Sequence, residues 1–258
     1  MVDLYSSYSP YFAAAALGAH SNFSQQGFRQ RDLRFLLGLF LNWVDSTTKG
    51  VDESVHNTQI ARYADGLVTR GLAQRTGSGR NRRYQLTRGG VLTLVERLTG
   101  QPVRAPLEQF FFIYYFVRTY GTRLTELAAQ KESRLPKSMQ VELAALLDPT
   151  GLLQRQMQYV QLEIKKLESR VQDTEAAAKL ARDLSGKGKD SDEVVAAVAH
   201  FHPYDLNSVK PMRELFREVP PALRVWELTA GSDARARILW RPFKEYMLGY
   251  LSVLEDLR

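Results

Sequence analysis

Apolar side chains recur at intervals of three and four residues along most of this 258-residue chain, which is the spacing of helices with one buried face. Residues 29–46 carry a wide apolar stripe opposite charged side chains. Residues 106–130 are apolar on nearly every side and are expected to be buried. Similar patterns predict further helices at 88–98, 137–147, 153–184, 192–200, 211–218 and 236–257. The predicted fold class is therefore mainly α.

The segment 153–184 has a stricter period than the other helices. From Leu153 to Ala181, apolar or small residues follow one another in alternating steps of four and three, which is the 3.5-residue repeat of a coiled-coil seam. In a parallel dimer Glu163 would face Glu168, which disfavours that register. Antiparallel pairing, within one chain or between two chains, therefore stays open beside the parallel form, as does the docking of another protein on this segment.

The pattern changes in 57–98 to a helix, a hairpin and a second helix. The first helix begins at Asn57 or Thr58 and ends at Gly71, a residue that suits a left-handed C-cap. Two strands then flank a basic, glycine-containing tip at 77–83. The strands are predicted at 74–76 and 84–86. This is the element order of a winged helix-turn-helix, which is a three-helix core with a β-hairpin wing.

The positive charge of the chain is concentrated in the same region. Residues 21–104 hold 13 basic and 6 acidic side chains, a net charge of +7, while the remaining residues hold 22 of each sign. A basic module attached to a neutral remainder is typical of a phosphate-binding surface, because neutralising phosphates releases counterions. Charge and element order together predict binding of double-stranded DNA.

Candidate DNA contacts lie on the first helix of this region and on the hairpin tip. Arginine and glutamine can each form two parallel hydrogen bonds with a base edge, with guanine and adenine respectively. Arginines at a hairpin tip can lie along phosphates or enter a narrow minor groove. The alternatives are an amphipathic surface helix and a solvated tip. The candidates are Thr58, Gln59, Arg62, Tyr63 and Arg70 on the helix, and Arg80, Asn81, Arg82 and Arg83 on the tip.

Over residues 57–98 the chain resembles the winged-helix regulators of the MarR and PadR type. The resemblance is carried by Leu67, Gly71–Leu72, Arg75 and the basic tip. The run Tyr84–Gly90 is similar to the Tyr-x-Leu-Thr-x-x-Gly segment that leads from the wing into the following helix in those proteins. The resemblance implies a DNA-binding regulator whose wing is followed by a helical dimerisation region.

Breaks in the pattern divide the chain into five predicted segments. Gly100 and Pro102 mark the end of the winged-helix domain, because glycine and proline interrupt helices. The first helix of the helix-turn-helix is expected in 51–56. The segments are an N-terminal extension at 1–28, the winged-helix DNA-binding domain at 29–104, a helical dimerisation and coiled-coil region at 105–184, a linker at 185–192 and a C-terminal helical region at 193–258.

Residues suited to catalysis or metal binding are few. The chain has no cysteine, which excludes disulfides, a thiol nucleophile and cysteine-bound zinc. Asp148, Glu163 and Lys165 match the spacing of metal-dependent nucleases, but the last two lie in the heptad segment, whereas that chemistry needs converging strand-end ligands. His200 and His202 are fewer ligands than a metal site requires. No enzyme activity, cofactor or metal is expected.

Signals for membranes and export are weak. Residues 1–20 have no basic segment ahead of their apolar run, which is unlike a signal peptide. The densest apolar stretch, Phe110–Val117, is far shorter than the roughly 20 residues that cross a bilayer. We expect a cytoplasmic protein without membrane contact.

These observations predict a transcriptional regulator that binds DNA as a homodimer. The helix that begins at Asn57 would read bases, and the wing would hold phosphates. The alternative is an architectural or adaptor subunit of a chromosome- or plasmid-maintenance complex. In that role the winged helix would bind DNA without sequence preference, or would bind a partner protein.

Overall fold

A computed structural model describes residues 4–45, 57–104, 107–130, 135–198, 223, 225 and 227–258. The described chain is mainly helical and contains a two-stranded sheet, which confirms the prediction of a mainly α fold. The chain divides into two compact units, residues 1–156 and residues 157–258.

The elements of the first unit match most of the predicted positions. They are α1 (Leu4–Asn22), α2 (Gln30–Asp45), α3 (Asn57–Thr69), β1 (Ala73–Thr76), β2 (Arg83–Leu86), α4 (Arg88–Thr99), α5 (Leu107–Ala129) and α6 (Lys137–Leu146). The hairpin is confirmed, as are the helices predicted at 29–46, 88–98, 106–130 and 137–147. The helices predicted at 51–56 and 211–218 lie outside the described residues.

Helix α1 lies in the core of the first unit. Its stretch Tyr11–Leu17 is buried and includes four consecutive alanines, which are the strongest helix formers. The helix packs against α2, α4 and α5. Within the segment predicted as an N-terminal extension at 1–28, Leu4–Asn22 therefore form a core helix. It lacks a polar face because neighbours cover it on several sides.

The aromatic run of α5 packs on α1 and α2. The ring centroid of Phe112 lies 4.7 Å from that of Tyr11 and 5.3 Å from that of Phe40. Phe116 meets Phe40 edge-on at 6.0 Å between centroids. Tilted and edge-on contacts are favourable for aromatic rings. The run is therefore part of the core of its own chain, with Tyr115 at the surface.

The hairpin is an antiparallel pair of strands. Phe28, in the chain just before α2, pairs with β2 at one further position. Strands β1 and β2 pair in a register that places Ala73 opposite Leu86. The N–H of Phe28 donates to the carbonyl oxygen of Tyr84 at 2.8 Å, and the N–H of Tyr84 donates to that of Phe28 at 2.7 Å. This bridge ties the start of α2 to the hairpin.

The turn from β2 into α4 depends on Thr87 and Gly90. The Thr87 hydroxyl accepts from the N–H of Gly90 at 3.0 Å and donates to the carbonyl oxygen of Gly71 at 2.9 Å. One side chain therefore caps α4 and joins it to the end of α3. A Cβ at Gly90 would lie 1.8 Å from the carbonyl oxygen of Leu72, so the close packing requires glycine.

The second unit begins within α7 (Pro149–Gly186). It continues with α8 (Ser191–Val198), α9 (Ser232–Arg235) and α10 (Arg241–Asp256). Wide π-helical turns at Glu227–Gly231 and Ala236–Trp240 flank α9. Because α7 extends to Gly186, the chain that joins it to α8 is shorter than the linker predicted at 185–192.

The heptad segment of α7 pairs with helices of its own chain. Its buried seam includes Val160, Ile164, Leu167, Ala178 and Ala181. Three ion pairs join α7 to α9 and α10: Glu168 with Lys244, Glu175 with Arg241, and Arg182 with Asp233. The residue numbers of the partners fall as those along α7 rise. Of the arrangements that the sequence leaves open, the structure therefore has the antiparallel, intrachain one.

None of the described helices combines the length and the apolar character that a membrane span requires. The longest, Pro149–Gly186, carries charged residues on much of its surface, including Lys165 and Lys179. None of the described helices contains the roughly 20 consecutive apolar residues that are needed to span a bilayer.

Candidate nucleic-acid interface

Helix α3 buries one face and leaves the opposite face in solvent. Ile60, Ala64 and Leu67 are buried in the first unit, whereas Thr58 and Arg62 are exposed one turn apart. Within the described residues, the Arg62 guanidinium has neither an ion pair nor a hydrogen bond. An exposed arginine on a rigid helix is suited to contact a phosphate or a guanine.

Tyr63 is directed toward the core. Its ring centroid lies 4.8 Å from that of Phe12 on α1. Burial raises the pKa of its hydroxyl well above the usual value, against smaller opposing effects of the Arg70 and Arg97 charges. The phenol is therefore neutral, and its ring serves packing. Gln59, at the edge of the exposed face, is half-buried.

Both ends of α3 are held by hydrogen bonds. At the N-terminal end, Arg34 Nη1 donates to Asn57 Oδ1 at 2.9 Å. At the C-terminal end, Arg70 Nε donates to the carbonyl oxygen of Gly66 at 3.0 Å, where the helix dipole also favours a cation. Gly71 follows with a φ of 71°, which confirms the predicted left-handed cap. Arg70 is exposed, but it also closes the end of the helix.

The hairpin tip is a tight turn. Gly77 has a φ of 72°, and a Cβ there would lie 2.6 Å from the carbonyl oxygen of Asn81. Residues Gly79–Asn81 form one 3₁₀ turn, and Asn81 is exposed. The side chain of Arg80 lies outside what the structure describes. The turn therefore presents at least Asn81 to solvent.

Two arginines predicted as tip contacts are directed back toward the body of the unit. Arg83 Nη1 donates to the carbonyl oxygen of Gly27 at 3.1 Å. Arg82 Nη1 lies 3.9 Å from Asp65 Oδ1, and its buried Nε has no hydrogen-bond partner among the described residues. Both guanidinium groups hold the hairpin against the rest of the unit, and that of Arg82 adds positive charge beside α3.

Sequence reasoning missed Asp65, which lies on α3 and contacts the hairpin. The Tyr84 hydroxyl donates to Asp65 Oδ1 at 3.0 Å and accepts from Gln30 Nε2 at 3.0 Å. Arg75 Nη1 lies 3.9 Å from the same carboxylate oxygen, and 46% of the Asp65 side chain is exposed. Solvent screens such ion pairs, so the hydrogen bond is the stronger tie. The available signal was that Asp65 is the only acidic residue in 54–95.

The residues with nuclease-like spacing have structural roles. The Asp148 carboxylate accepts two backbone N–H groups at the start of α7, at 3.1 and 2.9 Å, and thus caps that helix. Glu163 pairs with Lys166 on the same helix. The described residues contain no group of three histidine or carboxylate side chains able to hold a metal ion. His200 and His202 lie outside the described part of the chain.

No protein-family model matches the chain, and no match was found among curated proteins or among solved structures. The interface therefore rests on its own geometry. Its components are the exposed Arg62, the hairpin turn and the Asp65 cluster, all within the basic segment of the chain.

Proposed function

We propose that this chain binds double-stranded DNA through a winged helix-turn-helix built from α1–α4 and the hairpin β1–β2. The observation that carries the proposal is the exposed Arg62 on α3 beside the hairpin, within the segment that holds a net charge of +7. The bridge between Phe28 and Tyr84 supports it as well, because it fixes the hairpin against the helices that would carry it onto the duplex.

In the proposed complex α3 enters the major groove and the hairpin lies beside it along the phosphate backbone. Thr58 and Arg62 meet base edges or phosphates from the exposed face of α3. Arg80 and Asn81 contact phosphates from the tip. Arg82 contributes its charge from the position beside α3 where its Nη1 lies 3.9 Å from Asp65 Oδ1.

The role proposed first is transcriptional regulation by a cytoplasmic homodimer, because a two-fold dimer presents two modules to two half-sites. The heptad seam of α7 is buried within one chain, so the dimer interface of this proposal lies on another surface. Sedimentation equilibrium measures the oligomeric state. A monomer at every concentration, with and without DNA, would contradict the homodimer.

Arg62→Ala is expected to weaken binding to a preferred duplex about tenfold or more, since one bidentate base contact contributes about 1–3 kcal/mol of discrimination. The control is Lys165→Ala, which removes one exposed positive charge from the second unit. Fluorescence anisotropy measures both variants at two salt concentrations. The labelled duplexes are one of random sequence and one from upstream of the chain's own gene.

A regulator prefers one duplex by orders of magnitude, and Arg62→Ala should reduce that preference. Equal losses for Arg62→Ala and Lys165→Ala would exclude α3 as the reading helix. If the unaltered chain binds neither duplex at low salt, the proposal of DNA binding is wrong.

Asp65→Asn is expected to tighten binding to every duplex severalfold, because it removes a negative charge from the proposed interface. The substitution also releases Arg75 and Arg82 from an ion pair. Asparagine keeps an acceptor oxygen for the Tyr84 hydroxyl, so thermal unfolding should change little. Asp173→Asn on α7 is the control of equal charge change. A DNA affinity that does not rise for Asp65→Asn, in a chain that unfolds normally, would place this face away from DNA.

The second candidate function is that of an architectural or adaptor subunit. Phe35 and Leu39 on α2, one turn apart, are 69% and 53% exposed. Exposed aromatic and aliphatic side chains do not pair with phosphates, but they are typical of protein interfaces. The anisotropy assay separates the two roles, because an adaptor binds the two duplexes equally or binds neither.

A further inference from the structure

A strip of exposed apolar side chains follows α10 and the wide turn before it. Ile238 and Leu239 are 63% and 51% exposed, and Phe243 and Tyr246 are 41% and 43% exposed. From Leu239 to Val253, apolar positions follow one another in steps of four, three and seven residues, a spacing that keeps side chains on one side of a helix. Exposed apolar side chains that adjoin one another are typical of protein interfaces.

The charges of this segment are divided by sign along the chain. Residues 236–244 hold three basic side chains and no acidic one, while residues 245–257 hold three acidic side chains and no basic one. This order is the reverse of the one that the helix dipole favours, which is acidic at the N-terminal end and basic at the C-terminal end. The dipole of α10 therefore does not explain the division of charge.

Contacts within the second unit account for two of these six charges. Arg241 and Lys244 pair with acidic side chains of α7. The other four are exposed and have no ion pair among the described residues: Arg237, Glu245, Glu255 and Asp256. A second copy of the same segment that runs in the opposite direction would bring the basic part of each copy to the acidic part of the other.

Gly249 lies one turn after Tyr246, on the same side of α10. The residue is exposed, and a Cβ at this position would meet no atom within 4 Å. Glycine destabilises the interior of a helix relative to most other residues. Neither a positive φ nor close packing requires glycine at this position in the single chain. The open space beside Gly249 suits a large side chain from another molecule.

We infer that α10 pairs antiparallel with α10 of a second copy of this chain, through the apolar strip. Positions equally far from the centre of an antiparallel pair lie opposite each other. A register centred on Tyr246 therefore brings Leu239 of each copy to Val253 of the other. It also brings the ring of Phe243 of each copy to the open space beside Gly249 of the other.

The same register brings opposite charges together at both ends of the pair. Arg237 of each copy lies beside Glu255 and Asp256 of the other. A single pair of helices buries less area than a standard protein interface, so a weak and reversible dimer is expected. The inference rests on the homodimer of the proposed function, whose interface it names, and does not depend on DNA binding.

Gly249→Gln tests the inference, because it fills the open space without removing a contact of the single chain. Sedimentation equilibrium of the full chain without DNA is expected to show a dimer whose dissociation constant rises about tenfold or more in this variant. Thermal unfolding should not occur at a lower temperature, since glutamine is a better helix former than glycine. Gly38→Gln on α2 is the matched control, because a Cβ at Gly38 also meets no atom within 4 Å. It should leave the dissociation constant unchanged.

Two charge reversals test the antiparallel direction of the pairing. Arg237→Glu and Asp256→Lys each place like charges beside each other in the dimer, so each variant alone should dimerise severalfold more weakly at low salt. An equimolar mixture of the two variants should dimerise more strongly than either alone. In the mixed dimer the charges at positions 237 and 256 are opposite at both ends of the pair.

Three results would overturn the inference but not the proposed homodimer. They are a dimer that Gly249→Gln does not weaken, a dimer that Gly38→Gln weakens equally, and a mixture of the charge variants that dimerises no better than each variant alone. An unaltered chain that is monomeric at every concentration would overturn both the inference and the homodimer. The proposed DNA binding is measured separately, by the anisotropy assay.

Discussion

Tyr84→Ala is expected to lower the free energy of unfolding by about 4 kcal/mol, as is typical of truncating a buried aromatic side chain. Tyr84 is fully buried, and its ring stacks on Phe28 with 6.0 Å between centroids. Its hydroxyl joins Asp65 on α3 to Gln30 on α2. The truncation removes this packing and leaves two polar side chains without their shared partner.

Tyr84→Phe separates the contribution of the ring from that of the hydroxyl. It keeps the packing and removes two hydrogen bonds, for which we expect a loss of about 1–2 kcal/mol. Urea unfolding followed by circular dichroism measures both variants. Equal losses for the two substitutions would mean that ring packing does not hold the hairpin. A Tyr84→Ala chain as stable as the unaltered one would contradict the whole argument.

Acidification from neutral pH to about pH 4 is expected to remove about 3 kcal/mol of folding stability through His20 alone. Burial lowers the pKa of His20 from 6.5 to about 4 in the folded chain. The contribution of the neutral His20 to the free energy of unfolding is fully present above pH 6.5, where the imidazole is neutral in both the folded and the unfolded chain. Below that pH only the unfolded chain takes up the proton, so stability falls until about pH 4. Arg88 and His20 line one cavity of the first unit, and the positive charge of Arg88 does not favour the imidazolium.

His20→Leu is the matched variant, because leucine is apolar and does not titrate. Urea unfolding near pH 7 and near pH 4.5 should show that the unaltered chain loses about 2–3 kcal/mol more than the variant. The loss of stability that both chains share on acidification reflects the protonation of their carboxylates. Equal losses would contradict a neutral buried His20. A direct NMR titration of the imidazole in the unaltered chain answers the same question if the variant does not fold.

Element positions were predictable because their signals are local. The apolar spacing of 29–46 and 106–130 reappears in α2 and α5, and the Gly71 cap has the positive φ that the pattern predicts. Helical periodicity and turn chemistry act over about ten residues or fewer, so a single sequence contains them. The heptad repeat likewise predicted one long helix with a buried seam.

The candidate interface was only partly predictable from the residue types. Arg62 is exposed as its helical position predicts. Tyr63 and Arg83 are instead directed to Phe12 and to the carbonyl oxygen of Gly27. The direction of a long side chain depends on partners that are distant in the sequence. A local sequence pattern therefore does not predict it.

By itself, the sequence determined the mainly helical class, the positions of most of the described helices and of the hairpin, and the concentration of charge in 21–104. Only the tertiary structure decided that α1 belongs to the core, that α7 pairs antiparallel with its own chain, and that Asp65 joins α3 to the hairpin. The physical reason is that the sequence of a helix shows which face must be buried but not which segment of the chain will bury it. The hydrophobic effect is non-directional, so the segment that covers that face is chosen by the whole fold.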